Sequence, residues 1–120
     1  MIEILFFVDS ENAQRFQGFI VSGHAEYDEP GRDIVCAAVS ALTQSVVLGL
    51  EEVIDYPVEV ELDRDGLLDV RLIGHDSECA EKDNKAQVLL QTIYESLLQV
   101  ESEYPEGICV KLDDIIGGGE

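Results

Sequence analysis

The residues best suited to covalent chemistry are Cys36 and His24, and the histidine precedes the cysteine by twelve positions. A cysteine in the first turn of a helix is favoured as the thiolate, because unpaired backbone N–H groups and the positive end of the helix dipole lie there. An imidazole can form a thiolate–imidazolium pair with that sulfur and later donate its proton to a leaving amine. The pair therefore indicates nucleophilic catalysis by a thiol.

Three nearby residues have a catalytic interpretation and a structural one. Asp33 could orient the His24 ring or serve as the N-cap of the helix that carries Cys36. Ser40 lies one turn beyond Cys36, where it could line the site or bond back to the carbonyl of the preceding turn. Gly23 supplies backbone freedom beside the histidine. Backbone amides at the start of the helix, including that of Cys36, could stabilise an oxyanion.

The other thiols and the second histidine are weaker candidates. Free cysteine often packs as a small buried hydrophobe, and this alternative applies to Cys36 as well. Cys79 lies among acidic residues and Cys109 in a β-forming run, and both settings disfavour a thiolate. We interpret His75 as a loop residue. The three cysteines are widely spaced and have no Cys or His close by, so we expect no metal site, no disulfide framework and no cofactor.

The elements that would position the pair begin with a hairpin. Two β-forming runs, residues 3–8 and 16–21, are separated by turn residues. Glycine, aspartate and proline then interrupt residues 22–31, which predicts a loop that carries His24. An almost uncharged run over residues 34–50 predicts a helix that is buried on nearly every side.

The second half of the chain also predicts a hairpin followed by a helix. Val58–Leu62 and Leu68–Leu72 alternate apolar and acidic or basic residues around an Asp-Gly turn, which predicts a second hairpin. Apolar residues then recur at helical spacing over residues 86–100, and Asp83 or Asn84 could cap this amphipathic helix. A last β-forming run follows.

The predicted order is β-β-α-β-β-α-β, with the fifth strand at residues 108–112. Hairpins interleaved with two helices favour an α+β, two-layer sandwich with a mainly antiparallel sheet. We expect a single domain over residues 1–120, with residues 113–120 as a frayed tail. The order of the strands within the sheet does not follow from this pattern.

Composition excludes several classes of function. The 120 residues carry 7 Lys and Arg against 26 Asp and Glu, a net charge of −19, so the surface repels nucleic-acid phosphates and anionic lipid headgroups. We expect no direct nucleic-acid binding and no membrane association, since no stretch approaches the roughly 20 consecutive apolar residues of a membrane span. The N-terminus lacks the basic start of a signal peptide, and we predict a cytoplasmic protein.

At these residues the sequence resembles a known family, the ribosomal-processing cysteine protease Prp. The resemblance rests on a Gly-His-Ala motif near the end of the second strand, and on Asp-Ile-Val-Cys-Ala followed by a serine four residues after the cysteine. It continues through residues 86–92 and the pair Glu103 and Tyr104. The first motif is Gly23, His24 and Ala25; the second is Asp33, Ile34, Val35, Cys36 and Ala37, with Ser40.

The resemblance implies a cysteine endopeptidase in which Cys36 is the nucleophile and His24 the base. Its substrate would be the precursor of a basic protein, large-subunit ribosomal protein twenty-seven, from which a short N-terminal extension is removed during ribosome maturation. The resemblance also implies a homodimer of α+β chains with a mobile loop between the two residues. Residues of that loop would include Ala25, Tyr27, Pro30, Gly31 and Arg32.

The residues themselves leave two other functions open. One is a non-catalytic, ribosome-associated binding or assembly module in which Cys36 only packs. The other is a thiol hydrolase that acts on a different acyl substrate. The rate at which the thiol is alkylated at low pH separates a packing cysteine from a thiolate pair.

Overall fold

A computed structural model describes residues 1–23, 30–64, 66–74 and 80–113 of the chain. The predicted order of five strands and two helices is confirmed, and a short π-helical segment follows the first helix. The elements are β1 (Ile2–Val8), β2 (Phe16–Ser22), α1 (Pro30–Leu48), the π-helical segment (Gly49–Ile54), β3 (Val58–Leu62), β4 (Leu68–Leu72), α2 (Ala80–Glu103) and β5 (Ile108–Asp113).

The strands form one mixed sheet in the order β3-β4-β2-β1-β5. The two hairpins join through an antiparallel pairing of β2 with β4, and only the last strand is parallel to its neighbour, β1. Alternate strand residues pack with both helices in one core, which confirms the α+β, two-layer class. Asp113 belongs to β5, whereas the rest of the predicted tail, residues 114–120, lies outside the described residues.

Aromatic side chains fill the centre of this core. The Phe6 ring lies 5.6 Å from that of Phe16, 5.3 Å from that of Phe19 and 5.1 Å from that of Tyr94 on α2. Phe6 and Phe19 are completely buried. Such edge-to-face and tilted contacts add directional preference to simple burial, so they help to fix α2 across β1 and β2.

The first helix differs from its prediction at its start. α1 begins at Pro30, so Asp33 lies within the first turn and does not cap the helix. Proline is favoured at the first helical position, because its fixed φ suits a helix and its missing N–H would have no intrahelical partner. Pro30, Gly31 and Arg32 are therefore helical. This corrects the end of the loop predicted over residues 22–31, and the assignment of these three residues to the loop between His24 and Cys36.

The first helix also differs in its burial. Ile34 and Leu48 are 57% and 58% exposed, so the prediction of a helix buried on nearly every side is wrong. With the π-helical segment, residues 34–54 have the length and mean hydropathy, 1.7, of a membrane span, and 28% of the apolar window is buried. In length and mean hydropathy the stretch therefore resembles a membrane span, which the count of consecutive apolar residues did not indicate. Core helices meet the same test, and Val35, Val39 and Val46 pack into the core.

The second helix starts earlier than predicted. α2 begins at Ala80, so neither Asp83 nor Asn84 caps it. Asp83 instead accepts two hydrogen bonds from the guanidinium of Arg15, at 2.5 and 2.8 Å, and one from the Tyr56 hydroxyl at 2.8 Å. The carboxylate is therefore engaged by long-range partners, which the local pattern of a capping residue cannot reveal.

The two ends of the sheet are held in different ways. At the Asp83 end, defined by Arg15, Tyr56, Gly74 and Asp83, three side chains and one backbone carbonyl form a hydrogen-bonded network. The Tyr56 hydroxyl contacts both the Asp83 carboxylate, at 2.8 Å, and the Gly74 carbonyl, at 2.9 Å. The opposite end, which we call the Gly23 end, contains the end of β2 and the starts of β1, β4 and β5.

The sheet face without helices contains one large buried side chain. Phe7 is only 2% exposed, and the guanidinium carbon of Arg71 lies 4.2 Å from the centre of its ring. Gly18 stands between them, paired with Phe7 on one side and with Arg71 on the other. Its φ is +155°, and a Cβ there would lie 2.1 Å from the Val70 carbonyl oxygen. Only glycine fits at this position, and its lack of a side chain lets Arg71 cover Phe7.

Candidate active site

Cys36 lies in the second turn of α1, half-buried, with its side chain against the edge of the core. The prediction placed it in the first turn, and the earlier helix start at Pro30 corrects this. Its amide accordingly lies beyond the unpaired N–H groups of the helix terminus and is not available as an oxyanion donor. The thiol is neither sealed in the core nor fully exposed.

Gly23, the residue before His24, is held tightly against the start of β1. Its φ is +80°, and a Cβ at this position would lie 2.4 Å from the Met1 carbonyl oxygen and 3.7 Å from the Ile2 Cα. A residue with a side chain would strain the backbone and collide with it. Gly23 therefore fixes where the chain leaves β2, and the chain leaves at the end of the sheet where β1 begins.

The start of α1 reaches the same place through β5. A Cβ on Gly107 would lie 3.6 Å from a methyl group of Val35, the residue before Cys36. The N–H of Ile2 donates to the Gly107 carbonyl at 2.9 Å. Val35 thus lies beside Gly107, which is bonded to Ile2, and Gly23 lies against Met1 and Ile2. The helix carrying Cys36 and the strand leading to His24 therefore converge on the Gly23 end.

Part of the predicted site lies outside the described residues. His24, Ala25 and Tyr27 belong to residues 24–29, for which the structure gives no placement, and the side chain of Asp33 is likewise not described. The catalytic role of His24 and the orienting role of Asp33 remain predictions. The structure does place the residues on both sides of this segment, Gly23 and Pro30, on elements that meet at the Gly23 end.

Ser40 is exposed one turn beyond Cys36, and its role as a lining residue stays a prediction. The helix residue that bonds back to the preceding turn is Thr43. Its hydroxyl, buried in the core, donates to the Val39 carbonyl at 2.8 Å. This bond satisfies a polar group inside an otherwise apolar stretch of α1, and no simple sequence signal distinguished Thr43 from Ser40.

The other two thiols and the second histidine were the weaker candidates. Cys109 is a half-buried free thiol on β5, and Cys79 and His75 lie outside the described residues. Within the described ranges, no three His, Cys, Asp or Glu side chains are grouped so that they could hold a metal ion.

Sequence reasoning missed Gly107 as a part of this end. The structure buries Gly107 between Val35 and the start of β1. A glycine directly before a β-forming run is a signal of close backbone approach, and this signal was present. The element it approaches could not be predicted without the strand order.

Comparison with known proteins identifies the family. The family model described as cysteine protease Prp matches residues 1–109. The ribosomal processing cysteine protease Prp of Staphylococcus aureus is 34% identical over 92 residues, which are 74% of this chain and 79% of that protein.

Solved structures of the same relative share the fold. The S. aureus ribosomal processing protease Prp in complex with a substrate peptide has a TM-score of 0.80 and 28% identity, and the match covers 94% of this chain and all, 100%, of that one. The form with a covalently linked product peptide has a TM-score of 0.77 and 29% identity over 94% and 100% of the two chains. This chain belongs to the Prp family and is a cysteine protease.

Proposed function

We propose that Cys36 and His24 form the catalytic dyad of an endopeptidase that removes the N-terminal extension of large-subunit ribosomal protein twenty-seven. The observation that carries this proposal is the convergence at the Gly23 end. Gly23 directs the chain into His24 from beside Met1, and Val35 brings the Cys36 turn of α1 to the neighbouring Gly107. This convergence supports the pairing of two residues that are twelve positions apart in the sequence.

The reaction needs one sulfur and one imidazole. The Cys36 thiolate attacks the scissile carbonyl carbon and forms a C–S bond, while the His24 imidazolium donates its proton to the amine as the C–N bond breaks. Water then attacks the thioester as neutral His24 accepts its proton, and the carboxylate product leaves the sulfur. A covalently linked product peptide in the S. aureus relative is consistent with such an acyl-enzyme.

The charge of the chain suits this substrate. A net charge of −19 attracts a basic ribosomal protein and accelerates the encounter of the two molecules at low ionic strength. The same charge repels ribosomal RNA, so the precursor is recognised as a protein before assembly. This assignment places the activity in the cytoplasm, where ribosomal proteins are made.

We further propose that the chain forms a homodimer through the outer face of α1. Over residues 34–48, the part of α1 whose side chains the structure describes, this face has exposed Ile34, Ala37, Ala41 and Leu48 and carries no charge, although the chain as a whole is strongly acidic. Two chains of net charge −19 can approach closely only where neither presents a charge. Ala41→Glu should produce a monomer in sedimentation experiments, whereas Leu112→Glu, at a 49% exposed position of β5, should not.

Cleavage of the extended ribosomal precursor tests the dyad directly. Cys36→Ala and His24→Ala should each reduce cleavage by about a thousandfold or more while leaving the melting temperature unchanged within a few degrees. Mass spectrometry of the products identifies the bond that is cut. Cys109→Ala, which removes a half-buried thiol on β5, is the matched control and should cleave normally.

The alkylation rate of the thiol supplies a second measurement. Iodoacetamide should label Cys36 well below pH 8 in the native chain, and His24→Ala should shift labelling to higher pH. Normal cleavage by either dyad variant would disprove the assignment. Equal alkylation profiles with and without His24 would show that the imidazole is not the partner of the thiolate.

A further inference from the structure

The two edges of the sheet differ in how their backbone groups are satisfied. On β5, the N–H of Val110 donates to the Glu101 carboxylate of α2 at 2.9 Å, so a donor of this edge already has a partner. On β3, the opposite edge, the strand pairs with β4 and with no other strand among the described residues. An unpaired edge strand is a template for another extended chain.

The register shows which residues present the free edge of β3. The N–H of Asp63 donates to the Leu67 carbonyl at 3.0 Å, and that of Ile73 donates to the Pro57 carbonyl at 3.1 Å. Hydrogen-bonded pairs alternate along an antiparallel ladder, so Glu59 and Glu61 also bond to β4. The backbone groups of the intervening residues, Val58, Val60 and Leu62, therefore point away from the sheet.

The side chains beside this edge select its partner. On the face without helices, Glu59 and Glu61 are exposed and line a depression of about 210 Å³ with Asp69 and Arg71. Arg71 is paired with Asp69 at 2.7 Å, which leaves the two glutamates as the uncompensated charges of the depression. An incoming strand with Lys or Arg on this face would place its cations there.

The helix-facing side of the same edge is apolar. Val58 and Val60 are half-buried against the core, and Leu62 is 68% exposed. The favoured strand thus alternates basic and apolar residues. A second copy of β3 fits poorly, because antiparallel pairing about Val60 would set Glu59 of one chain opposite Glu61 of the other, and like charges directly opposite destabilise a sheet.

The edge of β3 also leads toward the Gly23 end. Leu62 of β3 pairs with Leu68 of β4, and Leu68 pairs with Val21 of β2. β3 therefore ends at the Gly23 end. Only β4 separates β3 from β2, a lateral distance of about 10 Å between the outer two strands. A chain docked outside β3 would lie one further spacing away, about 14 Å from β2, and could reach the exit of β2 with about four to five further extended residues.

We propose that the free edge of β3 is a docking site for an extended basic segment of the protein substrate, flanking the bond that is cleaved. This inference rests on the proposed function for the identity of its ligand. The backbone of Val58, Val60 and Leu62 supplies the hydrogen bonds, and Glu59 and Glu61 supply the preference for Lys and Arg.

A peptide of alternating Lys and Val tests this site without any need for cleavage. Its binding to the full chain should shift the NMR amide signals of Val58, Val60 and Leu62 most strongly. Glu59→Gln/Glu61→Gln should weaken binding about fivefold, the effect of two cross-strand charge pairs. Val60→Pro should weaken it at least as much, because it removes an outward N–H and leaves the β4 ladder intact.

The control keeps the overall charge change the same. Glu3→Gln/Glu51→Gln also removes two exposed carboxylates, away from β3, and should alter binding by less than about twofold. Equal weakening by both pairs, or amide shifts centred elsewhere, would overturn the proposal. Self-association lost in Val60→Pro would overturn it too, by assigning the edge to a second copy. If Val60→Pro does not fold, the comparison of Glu59→Gln/Glu61→Gln with Glu3→Gln/Glu51→Gln tests the proposal by itself. Cleavage by these variants is a separate readout, so the site can fail while the protease assignment stands.

Discussion

The Asp83 end and the Gly23 end of the sheet are held by different kinds of contact. At the Asp83 end, a carboxylate, a guanidinium and a phenol from distant segments bond to one another. At the Gly23 end, close approach of backbone atoms at Gly23 and Gly107 brings the strands and α1 together. If the proposed dyad acts at the Gly23 end, stability and chemistry are separated at opposite ends of the sheet, and substitutions at each end should affect different measurements.

The largest effect is expected at the Gly23 end. Gly23→Ala places a methyl group 2.4 Å from the Met1 carbonyl oxygen at a φ of +80°, so the exit of β2 must move. Because a small misplacement of a catalytic group is costly, we expect about a hundredfold loss of kcat/KM. Gly107→Ala is the control, since its Cβ meets nothing closer than 3.6 Å. Equal losses in both variants would show that the position of Gly23 is not special.

The Asp83 end should respond in stability. Asp83→Ala leaves the guanidinium of Arg15, 17% exposed, without its carboxylate, and we expect a loss of about 2–4 kcal/mol in the free energy of unfolding. Denaturant titration measures this, and kcat/KM of the folded fraction should change little. Asp55→Ala removes an 88% exposed carboxylate that lies 3.5 Å from Lys82 and should cost about 0.5 kcal/mol or less. A loss of activity as large as that of Gly23→Ala would contradict the separation of the two ends.

Acid should release part of the same stabilisation. Hydrogen bonds from Arg15 hold the pKa of Asp83 below its ordinary value of 3.8 in the folded chain. A carboxyl group whose pKa is lowered on folding contributes stability above its unfolded pKa and loses it as pH falls through its folded pKa. Native chain and Asp83→Ala should therefore converge in stability below about pH 4. A constant difference between the two down to pH 2 would contradict this role.

Alkaline pH should also weaken this network, through ionisation of Tyr56. Burial, followed by the hydrogen bond to Asp83, raises the pKa of Tyr56 above 10.0. A group whose pKa is raised on folding contributes stability that is present below its unfolded pKa and is lost as pH increases through its folded pKa. Tyr56→Phe should flatten the alkaline side of the stability profile, and an unchanged profile would contradict the prediction.

A smaller effect is expected where α2 meets β2. The Gln87 amide accepts from the Phe16 N–H at 2.7 Å and donates to the Phe16 carbonyl at 2.9 Å, so one side chain satisfies both backbone groups. Gln87→Ala should lower the free energy of unfolding by about 1–2 kcal/mol. Gln91→Ala, one turn further on the exposed face, should change it by less than about 0.5 kcal/mol. Equal effects would show that the contact with Phe16 adds nothing.

The spacing of apolar residues predicted the strands and helices but not which strands lie next to one another in the sheet. Both hairpins, both helices and the last strand were predicted, because alternation and helical spacing are local properties of the chain. The pairing of β2 with β4, and the parallel pairing of β5 with β1, depend on contacts between distant residues and have no local signal.

The starts of the helices show the same limit at single residues. Pro30 was interpreted as a loop residue and Asp83 as a cap, since both types favour either environment. The structure places Pro30 at the first helical position and engages Asp83 with Arg15. The exposed face of α1 was missed because a run of apolar residues has no visible polar side. Cys36 was selected correctly as a residue of α1, whereas its distance to His24 lies outside what the structure describes.

The arrangement of Phe7, Gly18 and Arg71 restricts how this sheet can change over time. A bulkier residue at position 18 would collide with the Val70 carbonyl and also displace the arginine that shields the aromatic ring. Loss of the arginine alone would leave a large hydrophobic side chain facing water. Substitutions at these three positions should therefore be inherited together, and a chimera that exchanges only one of them with a distant relative should become prone to aggregation.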